Sequence, residues 1–168
     1  MLLWFAGTAL IAMWFTFRDP AIDHRLIIAG ALLPDAIDVF LGTTNLMHTL
    51  AAPILLLMGL MVCTIGRRQF RRHALAVPIG IFWHSVFDGA WMNTETFWWP
   101  FTDSTSSAAN IPLADREVLL IVFMELIGLA LLIWSWRLMG MNQAERRRLF
   151  LRSGRIDRDL INPGTRGY

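Results

Sequence analysis

Long apolar runs alternate along this chain with short stretches that carry nearly all of its charge. Five runs stand out, at approximately 1–17, 25–41, 47–65, 74–92 and 117–139. A helix needs about 20 apolar residues to cross a hydrocarbon core, and several of these runs approach that length. The pattern predicts an all-α, polytopic helical membrane protein with about five transmembrane helices. The division expected is a helical membrane domain over 1–140 and a cytoplasmic arginine-rich tail over 141–168.

Composition agrees with that reading. The chain has 168 residues, 55% of them hydrophobic, and a mean hydropathy of +0.48, too apolar for an ordinary soluble domain. All 15 basic side chains are arginine, a usage that suggests a GC-rich bacterial genome; with the apolar runs, the expected location is the bacterial inner membrane, multi-pass. Arg18 and Arg25 separate the first two runs, and Arg67, Arg68, Arg71 and Arg72 the third and fourth. Arg137 and the cluster Arg146, Arg147, Arg148, Arg152, Arg155 and Arg158 follow the fifth. Five crossings with the N-terminus outside put all three regions on the cytoplasmic side, as the positive-inside rule requires. The opening run has neither a basic n-region nor a small-residue cleavage site, so it reads as a retained helix. Trp98, Trp99 and Pro100 suit a membrane–water interface. Cys63 is the sole cysteine, which excludes an intrachain disulfide or a thiolate metal site. No nucleic-acid partner is expected.

Against this background the ionisable residues inside the runs are costly and call for a reason. Asp35 and Asp38 lie in the second run, His48 opens the third, and His84 and Asp88 lie in the fourth. Spacings of three and four put each pair on one helix face. The topology places all five residues in the outer half of the membrane, although none of them was used to derive it. Three carboxylates share that layer, with Arg116 the only nearby basic side chain. Buried charges must be paired, neutralised or metal-bound, and a set of carboxylates and imidazoles suits a divalent ion such as Zn²⁺ or Mn²⁺. A purely hydrogen-bonded cluster or a proton relay are the other readings. Glu125, in the fifth run, is a candidate extra ligand, a general base, or a protonated acid in a helix contact. Asp23, His24 and His73 read as interfacial. Gly30, Gly59 and Gly128 are candidates for close helix contacts.

At "LLPDAIDVF", "MHTL" and "HSVFDGAW…FWWPF" the sequence resembles the YdjM-like family of bacterial membrane-bound metal-dependent hydrolases, over roughly residues 26–101. The resemblance implies metal-site roles for Asp35, Asp38, His48, His84 and Asp88. Three departures accompany it. Asp38 stands three residues after Asp35 where the family spacing is two, and Thr43, Thr44 and Asn45 stand where the family has His-Arg-Gly. The first run also lacks a histidine common in the family.

A hydrolytic site of this kind would use the metal to acidify water and polarise the scissile group, with Asp35, Asp38 or Glu125 taking the proton. Its depth favours a lipid-linked substrate, a phosphoester or phosphoanhydride before an amide or ester, although phosphate sites usually recruit arginine. The alternative is a non-catalytic membrane subunit packed against a larger synthase or transporter, its polar cluster structural or ion-conducting.

Overall fold

In the computed structural model, residues 1–41, 47–92, 97–102, 117–157 and 159 are described, and among them every regular element is helical. Each apolar run contains one helix: α1 (Leu2–Thr16), α2 (His24–Leu41), α3 (Ala51–Cys63), α5 (Ala76–Phe87) and α6 (Val118–Leu138). Two short helices lie in the basic stretches, α4 (Arg68–Ala74) and α7 (Ala144–Ser153). The chain is therefore all-α, as expected. By length and composition one helix, Val118–Leu138, is long and apolar enough to cross a membrane, while Leu2–Thr16 and Ala51–Cys63 are shorter apolar helices.

The boundaries follow local chemistry. After α1, Arg18 takes a positive φ of 46° and Pro20 cannot extend a helix. The third helix begins at Ala51 and not at 47, because Thr49 Oγ1 accepts the Ala52 N–H at 3.2 Å and Pro53 sits in the first turn, where its missing N–H costs nothing. Thr64 and Gly66 (φ 82°) close it. The fourth run yields a helix only to Phe87; Asp88 is its C-cap and Gly89 (φ 74°) turns the chain away.

Two close crossings organise the bundle. Helix α2 packs along α5, and α1 along α6, with α1 also against α2. At the first crossing, a Cβ on Gly30 would collide with the Val77 carbonyl and one on Gly80 with the Ile27 carbonyl. At the second, a Cβ on Gly7 would lie 2.6 Å from the Gly128 carbonyl, and one on Gly128 would strike the backbone of Leu3 and Trp4. Gly30 and Gly128 thus serve as the sequence suggests, whereas Gly59 meets nothing within 4 Å. Phe5, Ala9, Met13, Ile27, Ala31 and Ala76 form the core between these helices.

The tail is not a separate unit. Met139, Met141 and Ile156 share a buried cluster with Leu10, and the Gly154 carbonyl accepts the His24 N–H at 2.9 Å. Asp23 and His24, expected at an interface, are 4% and 3% exposed because the returning tail covers them. Arg25 grips Asp23 through Nε at 3.1 Å and Nη2 at 2.8 Å, and its Nη1 donates to the Leu151 carbonyl at 2.7 Å. Burial pushes the Asp23 carboxyl up, but the hydrogen bonds and charge of Arg25 outweigh it and hold the group below the usual range. Gly154 is left-handed (φ 67°), and a Cβ there would run into the Asp23 carboxylate. Residues 160–168, which include the C-terminal NPGTRGY, lie outside the described residues.

Gly80→Leu and Gly128→Leu are each expected to destabilise the detergent-solubilised protein by about 1–3 kcal/mol through overpacking. Gly59→Leu should leave the thermal midpoint unchanged, and equal shifts in all three variants would remove the special status of the crossings. A depressed carboxyl stabilises above its unfolded pKa and loses that contribution as pH falls through the folded value. Protease protection of α7 should therefore persist at neutral pH and fade only below about pH 4, whereas in Asp23→Asn it should be weak at every pH.

Candidate metal centre

Three parts of the chain converge at one end of the bundle: the second half of α2, the turn before α3, and the end of α5. Pro34 explains part of the α2 geometry. Its ring removes the N–H that the Gly30 carbonyl would receive and crowds the preceding turn. That turn contains Ala31, whose carbonyl lies 2.8 Å from His84 Nδ1. A carbonyl only accepts, so Nδ1 carries the proton and, in the neutral ring, Nε2 presents its lone pair. The Phe5 ring, centred 4.0 Å from the His84 ring, fixes the imidazole from the α1 side. His84 is 1% exposed.

His84 Nε2 faces His48 Nε2 at 3.1 Å and Asp35 Oδ1 at 3.5 Å. Two donors bound to one ion at the usual 2.1 Å and tetrahedral angle lie about 3.4 Å apart, close to both distances. Donor atoms of Asp35, His48 and His84 all fall within 4.8 Å of one another, a grouping that could hold a metal ion. Asp88 Oδ2 lies 3.8 Å from His48 Nε2 on the same side. Asp38 stands behind the other ring nitrogen, its Oδ2 at 3.2 Å from His48 Nδ1. All five residues expected from the sequence are therefore brought together, in two ranks: Asp35, His48, His84 and Asp88 around the Nε2 atoms, and Asp38 behind His48.

The proton count discriminates between states of this cluster. With no cation, the facing Nε2 atoms need a proton on the His48 side, because His84 Nε2 holds a lone pair. The His48 Nδ1–Asp38 contact at 3.2 Å then needs one more proton, carried by the ring or by the carboxyl. A cation between the rings lets both Nε2 atoms act as donors while Nδ1–H turns toward Asp38, the usual outer carboxylate of a metal-bound histidine. Two buried atoms support an unmet demand: Asp35 Oδ2 and His48 Nδ1 have no aligned hydrogen-bond partner.

Glu125 is set apart from the rings. Its Oε2 accepts the Leu3 N–H at 3.0 Å, which satisfies one free donor at the start of α1. Its Oε1 is buried without a hydrogen-bond partner. The Met1 nitrogen lies between the groups, 3.8 Å from Asp35 Oδ2 and 3.9 Å from Glu125 Oε1. The Ala31 carbonyl is the contributor that side-chain patterns do not announce; Pro34 frees the Gly30 carbonyl one residue earlier. Thr43, one of the departures from the family pattern, and Arg116, the basic side chain of the same layer, lie outside the described residues.

The Asp38 arrangement predicts a graded effect. Asp38→Asn should weaken metal affinity about 10–100-fold without lowering the number of ions bound at saturation, as read by competition with a chromogenic chelator. Loss of stoichiometry would instead place Asp38 among the direct ligands.

No family model matches this chain, nor does any curated protein or any solved structure.

Proposed function

We propose that the protein is a multi-pass membrane protein of the bacterial inner membrane and a metal-dependent hydrolase of a lipid-linked substrate, acting near the extracytoplasmic face. The observation that carries the metal part is the pair of Nε2 atoms at 3.1 Å with Asp35 Oδ1 beside them at 3.5 Å. The membrane part is supported by apolar side chains that no protein surface covers. Leu55, Met58 and Val62 on α3 are 64, 57 and 67% exposed, and Val118 and Leu119 on α6 are 76 and 78% exposed. Over α6 only Gly128 and Ser135 are buried. Such faces are stable against lipid tails and unfavourable in water. Five crossings, N-terminus outside, also keep the arginine-rich stretches on one side.

Asp35, His48 and His84 would hold a Zn²⁺ or Mn²⁺ ion, with Asp88 in the fourth position and Asp38 orienting His48. Such an ion supplies Lewis acidity toward water and the scissile group. Glu125, whose Oε1 lies 3.9 Å from the Met1 nitrogen at the same end of the bundle, is assigned the proton taken from water. The hydrolysed bond is a phosphoester or phosphoanhydride of a lipid carrier. The competing reading is a non-catalytic membrane subunit, favoured by the line Asp38–His48–His84, whose 3.2 and 3.1 Å contacts suit proton passage.

Metal analysis separates the two. The purified protein should hold about one Zn or Mn per chain, and His48→Ala/His84→Ala should lose it at least tenfold. Absence of metal, with unchanged thermal stability in the double variant, sinks the hydrolase. Catalysis has its own readout: Glu125→Gln should retain the metal yet abolish release of phosphate-bearing headgroups from reconstituted liposomes. Sidedness is tested in a Cys63→Ser background. Phe101→Cys, 85% exposed in the parent, should react with an impermeant thiol reagent from outside, and Arg148→Cys only after permeabilisation. The reverse pattern would move the centre to the cytoplasmic face.

A further inference from the structure

At the end of the bundle opposite the metal centre lies an open cavity of about 680 Å³. Arg68, Arg71 and Arg72 on α4 and Arg155 after α7 line its rim, and Ile22, Leu75, Ala76 and Ile79 its floor. Asp19 is the one carboxylate in its wall, and its Oδ1 already accepts the Ala21 N–H at 2.9 Å. His73 also faces the cavity, with Nδ1 3.8 Å from Asp23, but Asp23 is held by Arg25. Among the described residues no carboxylate pairs with any of the four rim arginines. Four guanidinium groups therefore converge on one space with their charge unneutralised, and guanidinium forks match phosphate oxygens.

The apolar floor leads further. Ile79 also lines a second cavity, about 320 Å³, which runs between α3 and α5 past Pro53, Leu57, Pro78 and Phe82 to Trp83. A phosphate-seeking rim thus lies beside an apolar groove along the bundle, with Ile79 at the border of both. Inorganic phosphate or a nucleotide would use the rim and leave the groove and floor unmatched. A phospholipid uses both.

We propose that this end of the protein binds one anionic phospholipid, with its phosphate on Arg68, Arg71, Arg72 and Arg155 and an acyl chain in the α3–α5 groove. Basic pockets between membrane helices recruit anionic headgroups in this way. The proposal goes beyond the metal centre and does not depend on it, but it rests on the membrane reading.

The test uses the full chain expressed in membranes, washed with alkaline carbonate and then purified in a neutral detergent. Thermal midpoints and native mass spectra are recorded with added phosphatidylglycerol, phosphatidylcholine or inorganic phosphate. The expected result is a retained phosphatidylglycerol molecule and a midpoint raised by phosphatidylglycerol alone. Arg68→Gln/Arg71→Gln/Arg72→Gln should weaken that binding at least tenfold, and Leu57→Trp, which fills the groove, should weaken it without any loss of charge. Arg147→Gln/Arg148→Gln/Arg152→Gln, which removes the same charge from α7, should leave it unchanged. Equal stabilisation by phosphatidylcholine, or equal loss in both triple variants, overturns the proposal. A full shift with inorganic phosphate alone also overturns it and assigns the rim to a soluble anion. A chain extracted by carbonate fails the membrane reading and this proposal together; one that stays in the membrane but shows no lipid preference fails only this proposal.

Discussion

The approach of α2 to α5 is the constraint on which the candidate site depends. With no Cβ at Gly30 or Gly80, the two backbones touch, and the Ala31 carbonyl comes within 2.8 Å of His84 Nδ1. That bond selects the tautomer, the tautomer aims the Nε2 lone pair, and the lone pair meets His48 and Asp35. A helix pair held apart by even one methyl group would lose the reach of that carbonyl. The imidazole would then be free to swap nitrogens, and the donor set would lose its common focus. The metal chemistry therefore starts from a backbone contact and only then becomes a matter of ligands.

Charge sets the second constraint. Asp35, Asp38 and Asp88 gather around two imidazoles with no arginine in contact among the described residues. Ionised carboxylates in an apolar surrounding cost several kcal/mol each unless something positive meets them. The Met1 nitrogen, 3.8 Å from Asp35 Oδ2, meets part of that demand, and the imidazoles or a divalent cation meet the remainder. The cation meets more of the demand, because it also employs Asp35 and frees His48 Nδ1–H for Asp38. It does so without asking a buried imidazole to carry charge between two others.

Much of this was legible in the sequence because the relevant signals are local. Apolar runs give helices, and spacings of three and four put Asp35 with Asp38 and His84 with Asp88. Arginine placement gave a depth, and depth predicted that five separated residues would share a layer. The structure brings those five together. Long-range backbone geometry was less legible. Gly59 looks in sequence like Gly30 and Gly128, yet only a partner helix distinguishes a contact glycine from a spare one, and Gly7 and Gly80 gave no local sign. The same holds for Asp23 and His24, whose place at the start of the second run suggests an interface. Their burial comes from Gly154 and Leu151, some 130 residues downstream. The separation of Asp38 from the other ligands likewise depends on which way the His48 ring turns, and ring orientation has no signature in residue spacing.

The polar groups also divide between the two ends of the bundle by the sign of the partner they suit. Among the described residues, the end of α2 and α5 gathers three carboxylates around two imidazoles and the Met1 nitrogen, a set with donors for a cation. At the start of α5, beside α4, there is an excess of guanidinium groups, which an anion would balance. The two sets cannot pair with each other, because the apolar length of α5 lies between them. With the charges held at opposite ends, a cation at one and an anion at the other would each meet a complementary set of side chains, as the two proposed sites require.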